Sequence, residues 1–268
     1  LTLDAPFAKG VLVSVNYSDQ PGDQTNTLQT TQGTDLESFY SGVVADGYLK
    51  GADIYVDSNR DGIASADEKV TGMQTDANGN FFLPSKLAQS AIIAQGGVNI
   101  DTGLPNLMPI KGPAGSIAIN PITTLVQVLI ESGVGLVEAK QTVAQNLGLT
   151  GIADLTQFDP QAAFASAQAS GDATVLQLAL SAQKAATQIA SIVALVVNQN
   201  PDAANAVVKN ISAEVGKGRV DFSNSSTLSN VLTNVPVAAT VKEQISTAVV
   251  QIQSATSLTD ISKTQKTI

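Results

Sequence analysis

The sequence contains no cysteine and no histidine. Without cysteine there is no disulfide framework, no thiolate metal site and no thiol nucleophile. Without histidine there is no Ser-His-Asp arrangement, and the usual zinc ligand and the commonest general acid/base are both missing. Tryptophan is absent too, and aromatic residues make up only 4% of the chain, so a core has to be built from Ala, Val, Leu and Ile. Charged residues are also few, at 14%, against 43% hydrophobic, which favours a packed core over disorder. The charges that exist are mostly negative, with a net charge of -9. That balance argues against nucleic acid, since phosphate binding needs clustered Lys and Arg, and against anionic membrane surfaces. No apolar run reaches the ~18 residues of a membrane span; the nearest, from Ile189 to Val197, is too short, so no membrane insertion is expected. The first residue is Leu1, with no starting Met and no signal-peptide pattern, which reads as a processed or excised segment.

One stretch carries a specific chemical signal. Residues Asp57-Ser58-Asn59-Arg60-Asp61-Gly62-Ile63-Ala64-Ser65-Ala66-Asp67-Glu68 read D-x-N-x-D-G-x5-E, the spacing of a twelve-residue calcium loop. Asp57, Asn59 and Asp61 offer side-chain oxygens at positions one, three and five. Gly62 stands where the chain turns sharply, Ile63 offers its carbonyl, and Ser65 ligates directly or through water. Glu68 closes the shell. Ca²⁺ takes six to eight hard oxygens, and this loop supplies them. Asp, Asn, Gly and Ser also make ordinary solvated turns, so the weight lies on the complete match. The flanks, Ala52–Val56 and Lys69–Thr75, are β-forming and lack helical periodicity. The loop is therefore expected between strands, where it stiffens a domain, with an affinity on the order of 10⁻⁴ M.

The fold class expected is α+β: an N-terminal β-sandwich carrying the calcium loop, then a C-terminal α-helical bundle. Gly10–Tyr17 is a strand candidate, and residues 1–40 form a segment that pairs with the sandwich or with a neighbouring subunit. Residues 41–115 hold short strands with turn signals, including a hairpin at Asn78-Gly79. A Pro/Gly-dense connection, 103–115, precedes the helical region, 116–268. There Asn120-Pro121, Asp159-Pro160 and Asp172 read as helix starts, and the helix from Asp172 to about Asn198 is apolar enough to be central. The tail from Ser257 has no firm assignment.

The segment Gly47-Tyr48-Leu49-Lys50-Gly51-Ala52, the loop itself and Thr75-Asp76-Ala77-Asn78-Gly79-Asn80-Phe81 together resemble the calcium-binding B-type repeats of bacterial surface adhesins, which are Cna-B-type, prealbumin-like sandwiches. The similarity covers roughly residues 45–110. It implies an extracellular structural module in which Ca²⁺ stiffens a stalk, with Asp57, Asn59, Asp61 and Glu68 as ligands. Some Cna-B-type domains cross-link a first-strand Lys to a last-strand Asn; Lys50 and Asn99 hold those places here. Gly96–Gly103 and Ile119–Val126 are similar to segments of large secreted bacterial proteins and surface lipoproteins in which a helical region follows such a sandwich.

Three functions follow. The first is a structural module of a bacterial surface or matrix protein, an adhesin, filament or biofilm-matrix subunit. Its partners would be copies of itself, as a homo-oligomer or filament with strand addition through residues 1–20, or other surface components. The second is a secreted small-ligand-binding protein with an apolar pocket in the bundle; haem is disfavoured, because Met73 and Met108 are the only soft ligands. The third is a glycoside hydrolase working through paired acids drawn from Glu131, Glu138, Asp154, Asp159 and Glu214. Asp159 is better explained as a helix cap, and Glu131 and Glu138 as exposed charges on short helices.

Overall fold

The computed structural model describes residues 39–267. The strand candidate Gly10–Tyr17 and the strand addition through residues 1–20 lie outside the described residues. The order of elements is α+β, with short strands first and helices after. The strands are β1 (Phe39–Val44), β2 (Leu49–Lys50), β3 (Asp53–Asp57), β4 (Lys69–Gln74), β5 (Asn80–Pro84), β6 (Ala91–Gln95), β7 (Val98–Asn99), β8 (Ile110–Gly112) and β9 (Ala118–Ile119). The helices are α1 (Pro121–Glu131), α2 (Leu136–Asn146), α3 (Pro160–Ser170), α4 (Ala173–Gln199), α5 (Ala204–Lys217), α6 (Ser225–Val231), α7 (Ala239–Ser254) and α8 (Leu258–Thr267).

The strands form three open sheets, ordered β5-β1-β9, β2-β7 and β4-β3-β6-β8. In β3, Ile54 and Val56 are buried while Tyr55 between them is only half-buried, the alternation of a strand with one face inward. Phe81 of β5 sits opposite Gly42 of β1. A Cβ at Gly42 would lie 2.6 Å from the Phe81 ring, so this fully buried aromatic is admitted by the missing side chain across the ladder. Tyr40 packs on the same ring at 5.9 Å between centroids.

Two features depart from the expected layout. Asn78-Gly79 does form a turn, but not a hairpin: β4 and β5 belong to different sheets. The Asp76 carboxylate accepts from the Asn78 and Asn80 amides, both at 2.8 Å, and the Gly79 carbonyl accepts from the Val44 amide. The turn is thereby held to β1, and the chain crosses between sheets there. Second, the Pro/Gly-dense connection yields β8, and the start of the expected helical region yields β9. β8 borders the four-stranded sheet, and β9 runs parallel to β1, pairing Val43 with Ala118 and Val44 with Ile119.

Strand gives way to helix at Asn120. Its side chain accepts from the Ile122 and Thr123 amides at 2.9 and 3.0 Å, and Thr123 Oγ1 accepts from the Asn120 amide at 2.8 Å, a reciprocal capping box with Pro121 in the first turn. Asp159 and Asp172 cap α3 and α4 through their carboxylates, each accepting from two amides of the first turn. Helix α4 packs against α1, α3, α5, α7 and α8. It is long and apolar enough to cross a bilayer by length and composition, and most of its apolar positions are buried in this fold. The tail from Ser257 forms α8, anchored by Leu258 and Ile261. One apolar cluster runs from Ile54, Phe81 and Ile110 through Leu125 to Ile189, Ile211 and Val249, across the change from strand to helix.

Among the buried polar groups of this core, one carboxyl is especially expensive. Asp46, in the turn between β1 and β2, is 5% exposed. Its Oδ1 has no hydrogen-bond partner among the described residues, and its Oδ2 has only the Gln265 amide at 3.5 Å. Burial pushes its carboxyl up to about 7, and the charge of Asp101 adds to the rise.

Two stability predictions follow from the capping and from this carboxyl. Asn120→Ala leaves buried helix N–H groups without an acceptor and should lower stability by about 1–2 kcal/mol in urea unfolding. Asp46 holds its proton more tightly folded than unfolded. Stability should therefore decline as pH rises from the ordinary carboxylate range to about 7 and flatten above. That part of the slope should vanish in Asp46→Asn, which should be the more stable protein at pH 8.

Candidate metal centre

The loop Asp57–Glu68 joins β3 to β4, as its flanks predict. Both ends are fixed by the ladder. Asp57 pairs with Ala91 of β6, and the Glu68 carbonyl accepts from the Val56 amide at 3.0 Å. Asp57 and Glu68 are buried, while Asp61 is exposed. The side chains that can ligate at positions one and twelve are thus held by the sheet, and the one at position five faces solvent.

Carboxylate oxygens of Asp57, Asp61 and Glu68 lie within 4.8 Å of one another. Such a cluster repels itself, and backbone N–H groups hold it together. Asp57 accepts from the Asp61 and Gly62 amides, each at 3.1 Å. Asn59 Oδ1 accepts from the Asp61 amide at 2.9 Å, and Asp61 Oδ1 accepts from the Ile63 amide at 2.7 Å. The Asn59 amide nitrogen donates to Asp61 Oδ2 at 3.0 Å. Glu68 Oε1 accepts from the Ser58 and Asn59 amides at 2.8 and 3.1 Å, and its Oε2 accepts from Ser65 Oγ at 2.8 Å. Ser65 therefore meets Glu68, and the Ile63 side chain is exposed. Burial works against the charge of Glu68, but the hydrogen bonds from Asn59, Ser65 and Ser58 outweigh it and hold the carboxyl below its ordinary value. Burial pushes Asp57 the other way, helped by the charges of Glu68 and Glu131. A cation among these oxygens would relieve that mutual repulsion. The donors are all oxygen, which suits a hard ion such as Ca²⁺.

The structure adds a residue that the loop spacing does not contain. Gly62 has φ +72°, the left-handed region that favours glycine, and a Cβ there would fall 2.5 Å from the Glu131 carboxyl carbon. Glu131 ends α1 and covers the loop from outside. It is held there by Lys111, whose Nζ is 3.0 Å from both carboxylate oxygens, and by Gln127 at 3.2 Å. Glu131 is thus an ion-paired residue at the loop and not an exposed helix charge. Nothing in the local sequence pairs it with Asp57 or Gly62, which lie far away along the chain.

The other acids considered for catalysis are dispersed. Asp154 pairs with Lys140 at 2.8 Å, and Glu214 with Lys217 at 2.6 Å. Asp159 caps α3 and accepts from the Tyr48 hydroxyl at 2.8 Å, and Glu138 is exposed on α2. Lys50 and Asn99 do not face each other. Asn99 pairs with Leu49, Lys50 pairs with Val98, and neighbouring strand positions point to opposite faces. The Asn99 amide is buried and donates to the Asp46 carbonyl, while Lys50 is exposed.

The contact between Glu131 and Gly62 generates a coupling prediction. In metal-free urea unfolding, Gly62→Ala should cost about 1–3 kcal/mol from left-handed strain and the clash. Glu131→Ala should cost about 3 kcal/mol because Lys111 is left buried without its partner. The double variant should cost measurably less than the sum, since the first loss frees the space that the second needs.

No family model, curated protein or solved structure matches this chain, so the functional reading rests on the geometry of the loop.

Proposed function

We propose that this chain is an extracellular structural module of a bacterial surface or matrix protein, in which Ca²⁺ bound by the Asp57–Glu68 loop stiffens the strand region. The observation that supports it most is the convergence of three carboxylates on calcium-loop spacing, with both ends of the loop anchored in one sheet. The ligand set is Asp57, Asn59, Asp61 and Glu68, with the Ile63 carbonyl and Ser65 completing the shell, the latter directly or through water. The resemblance to adhesin B-type repeats extends the reading to the fold. On it, the three-stranded and four-stranded sheets correspond to the faces of a Cna-B-type sandwich.

The role of the ion is mechanical rather than catalytic. Bound Ca²⁺ neutralises the loop carboxylates and ties the end of β3 to the start of β4. The Lys111–Glu131 pair rests on the same loop, so the stiffening reaches α1. An acidic chain suits such a setting, because calcium outside cells keeps the ligands neutralised. The partners of the module are further copies of itself, in an oligomer or filament, or other surface components.

A thermal melt tests the metal. At a hundredfold excess over the dissociation constant, binding to the folded state alone adds about 2.7 kcal/mol, so Tm should rise clearly with Ca²⁺. Mg²⁺, which demands smaller octahedral geometry, should raise it less. Asp61→Ala should abolish the rise while leaving the metal-free melt nearly unchanged, since Asp61 is exposed. An equal melt with Ca²⁺ and with chelator would make the loop an ordinary turn. Size-exclusion chromatography of the same samples reads self-association, which the filament reading expects to increase with Ca²⁺.

A further inference from the structure

A second polar feature lies away from the loop. A cavity of about 250 Å³ is bounded by the Asp46 turn, the loop after β7, one face of α4 and Gln265 of α8. Ala190, Ser191, Ala194, Leu195 and Asn198 form the α4 wall, and the two alanines leave the room. Of the three buried side-chain polar atoms without a partner among the described residues, two belong to residues lining this cavity: Asp46 Oδ1 and Ser191 Oγ. Ser191 is 3% exposed. A helical serine commonly bonds the carbonyl one turn back, and this one does not. Buried polar atoms left in this condition call for a partner.

The lining decides the chemistry of that partner. It contains no Lys or Arg, and the Asp101 charge acts on Asp46 as well, so the local field is negative and an anion is disfavoured. A divalent ion needs six or more oxygens. The amide oxygens of Asn99 and Asn106 are already taken by backbone N–H groups; the side-chain oxygens of Asp46, Ser191, Asn198 and Gln265 fall short of that number, and much of the wall is apolar, including Leu104, Met108 and Leu195. What fits is a group that donates several hydrogen bonds, carries positive charge and continues into a short apolar tail. The volume falls below the roughly 300–1,000 Å³ of drug-sized pockets, so the ligand is small. We infer that this cavity binds a small primary ammonium compound with a short aliphatic chain, its ammonium between Asp46 and Ser191 and its chain against Leu104, Met108 and Leu195. This site is independent of the calcium reading.

The test uses the full chain with alanine and methionine methyls labelled for NMR, titrated at about pH 8, where Asp46 is ionised, with n-butylammonium, n-butanol and butanoate. Saturable shifts at Ala190, Ala194 and Met108 are expected with n-butylammonium. n-Butanol should bind at least about tenfold more weakly, having lost the charge-assisted bond, and butanoate should not bind. Asp46→Asn should weaken n-butylammonium by about tenfold or more, and Ser191→Ala by a few fold. Asp46→Asn removes a buried charge and should fold; if its spectrum shows otherwise, Ser191→Ala carries the test alone. The inference is overturned if no saturable shift occurs below about 10 mM, a cavity that holds only water being one such case. It is equally overturned if n-butanol binds as tightly, or if the folded variants bind as the parent does.

Discussion

Lys111 holds the two halves of this fold together. It is buried at 4% exposure in the short strand β8, and all three of its polar groups go to α1. Its amide donates to Thr124 Oγ1 and its carbonyl accepts from Thr123 Oγ1, each at 2.8 Å, in the first turn of the helix. Its ammonium reaches Glu131 at the last turn. A buried ammonium without a partner is destabilising by several kcal/mol, so the position of Glu131 is set by Lys111 as much as by its own helix. The strand region and the first helix are therefore docked by one residue at both ends of that helix. The apolar cluster that spans Ile110, Leu125 and Ile189 fills the space behind it.

The same pair reaches the loop. Glu131 occupies the space a Cβ would need at Gly62, so glycine there answers two demands, a left-handed backbone and the neighbouring carboxylate. Inside the loop, backbone amides gather Asp57, Asp61 and Glu68 against their own repulsion. The arrangement is poised for a cation, with Asp57 and Glu68 set by the sheet and Asp61 open to solvent. The acidic loop that could hold an ion, the docking of α1 and the geometry of Gly62 thus become parts of one mechanical unit.

Local signals were legible in the sequence and distant ones were not. The loop and its strand flanks could be read from ligand spacing and β-forming residues. The starts of α1, α3 and α4 could be read from Asn120-Pro121, Asp159-Pro160 and Asp172, because a cap is made within four residues. β8 and β9 were hidden, since strands of three and two residues are too short to show alternation. Asn78-Gly79 gave the turn but not the sheet change, because the Val44 bond that decides it comes from another strand. The role of Glu131 depends on Lys111 and Gly62, and that of Asp46 on burial by distant elements. Neither has a sequence pattern, and Glu131 alone looks like any charge at a helix end. α8 was equally obscure, with little beyond Leu258 and Ile261 to mark an inward face.

The most direct test of this account is amide hydrogen exchange, measured residue by residue with Ca²⁺ and with chelator. The account predicts slower exchange with Ca²⁺ at the Asn59, Asp61, Gly62 and Ile63 amides, and also at Lys111, which meets the loop through Glu131 and, across the sheet, through β6. Unchanged exchange in the loop would contradict the metal site. Slower exchange in the loop with none at Lys111 would contradict the mechanical coupling.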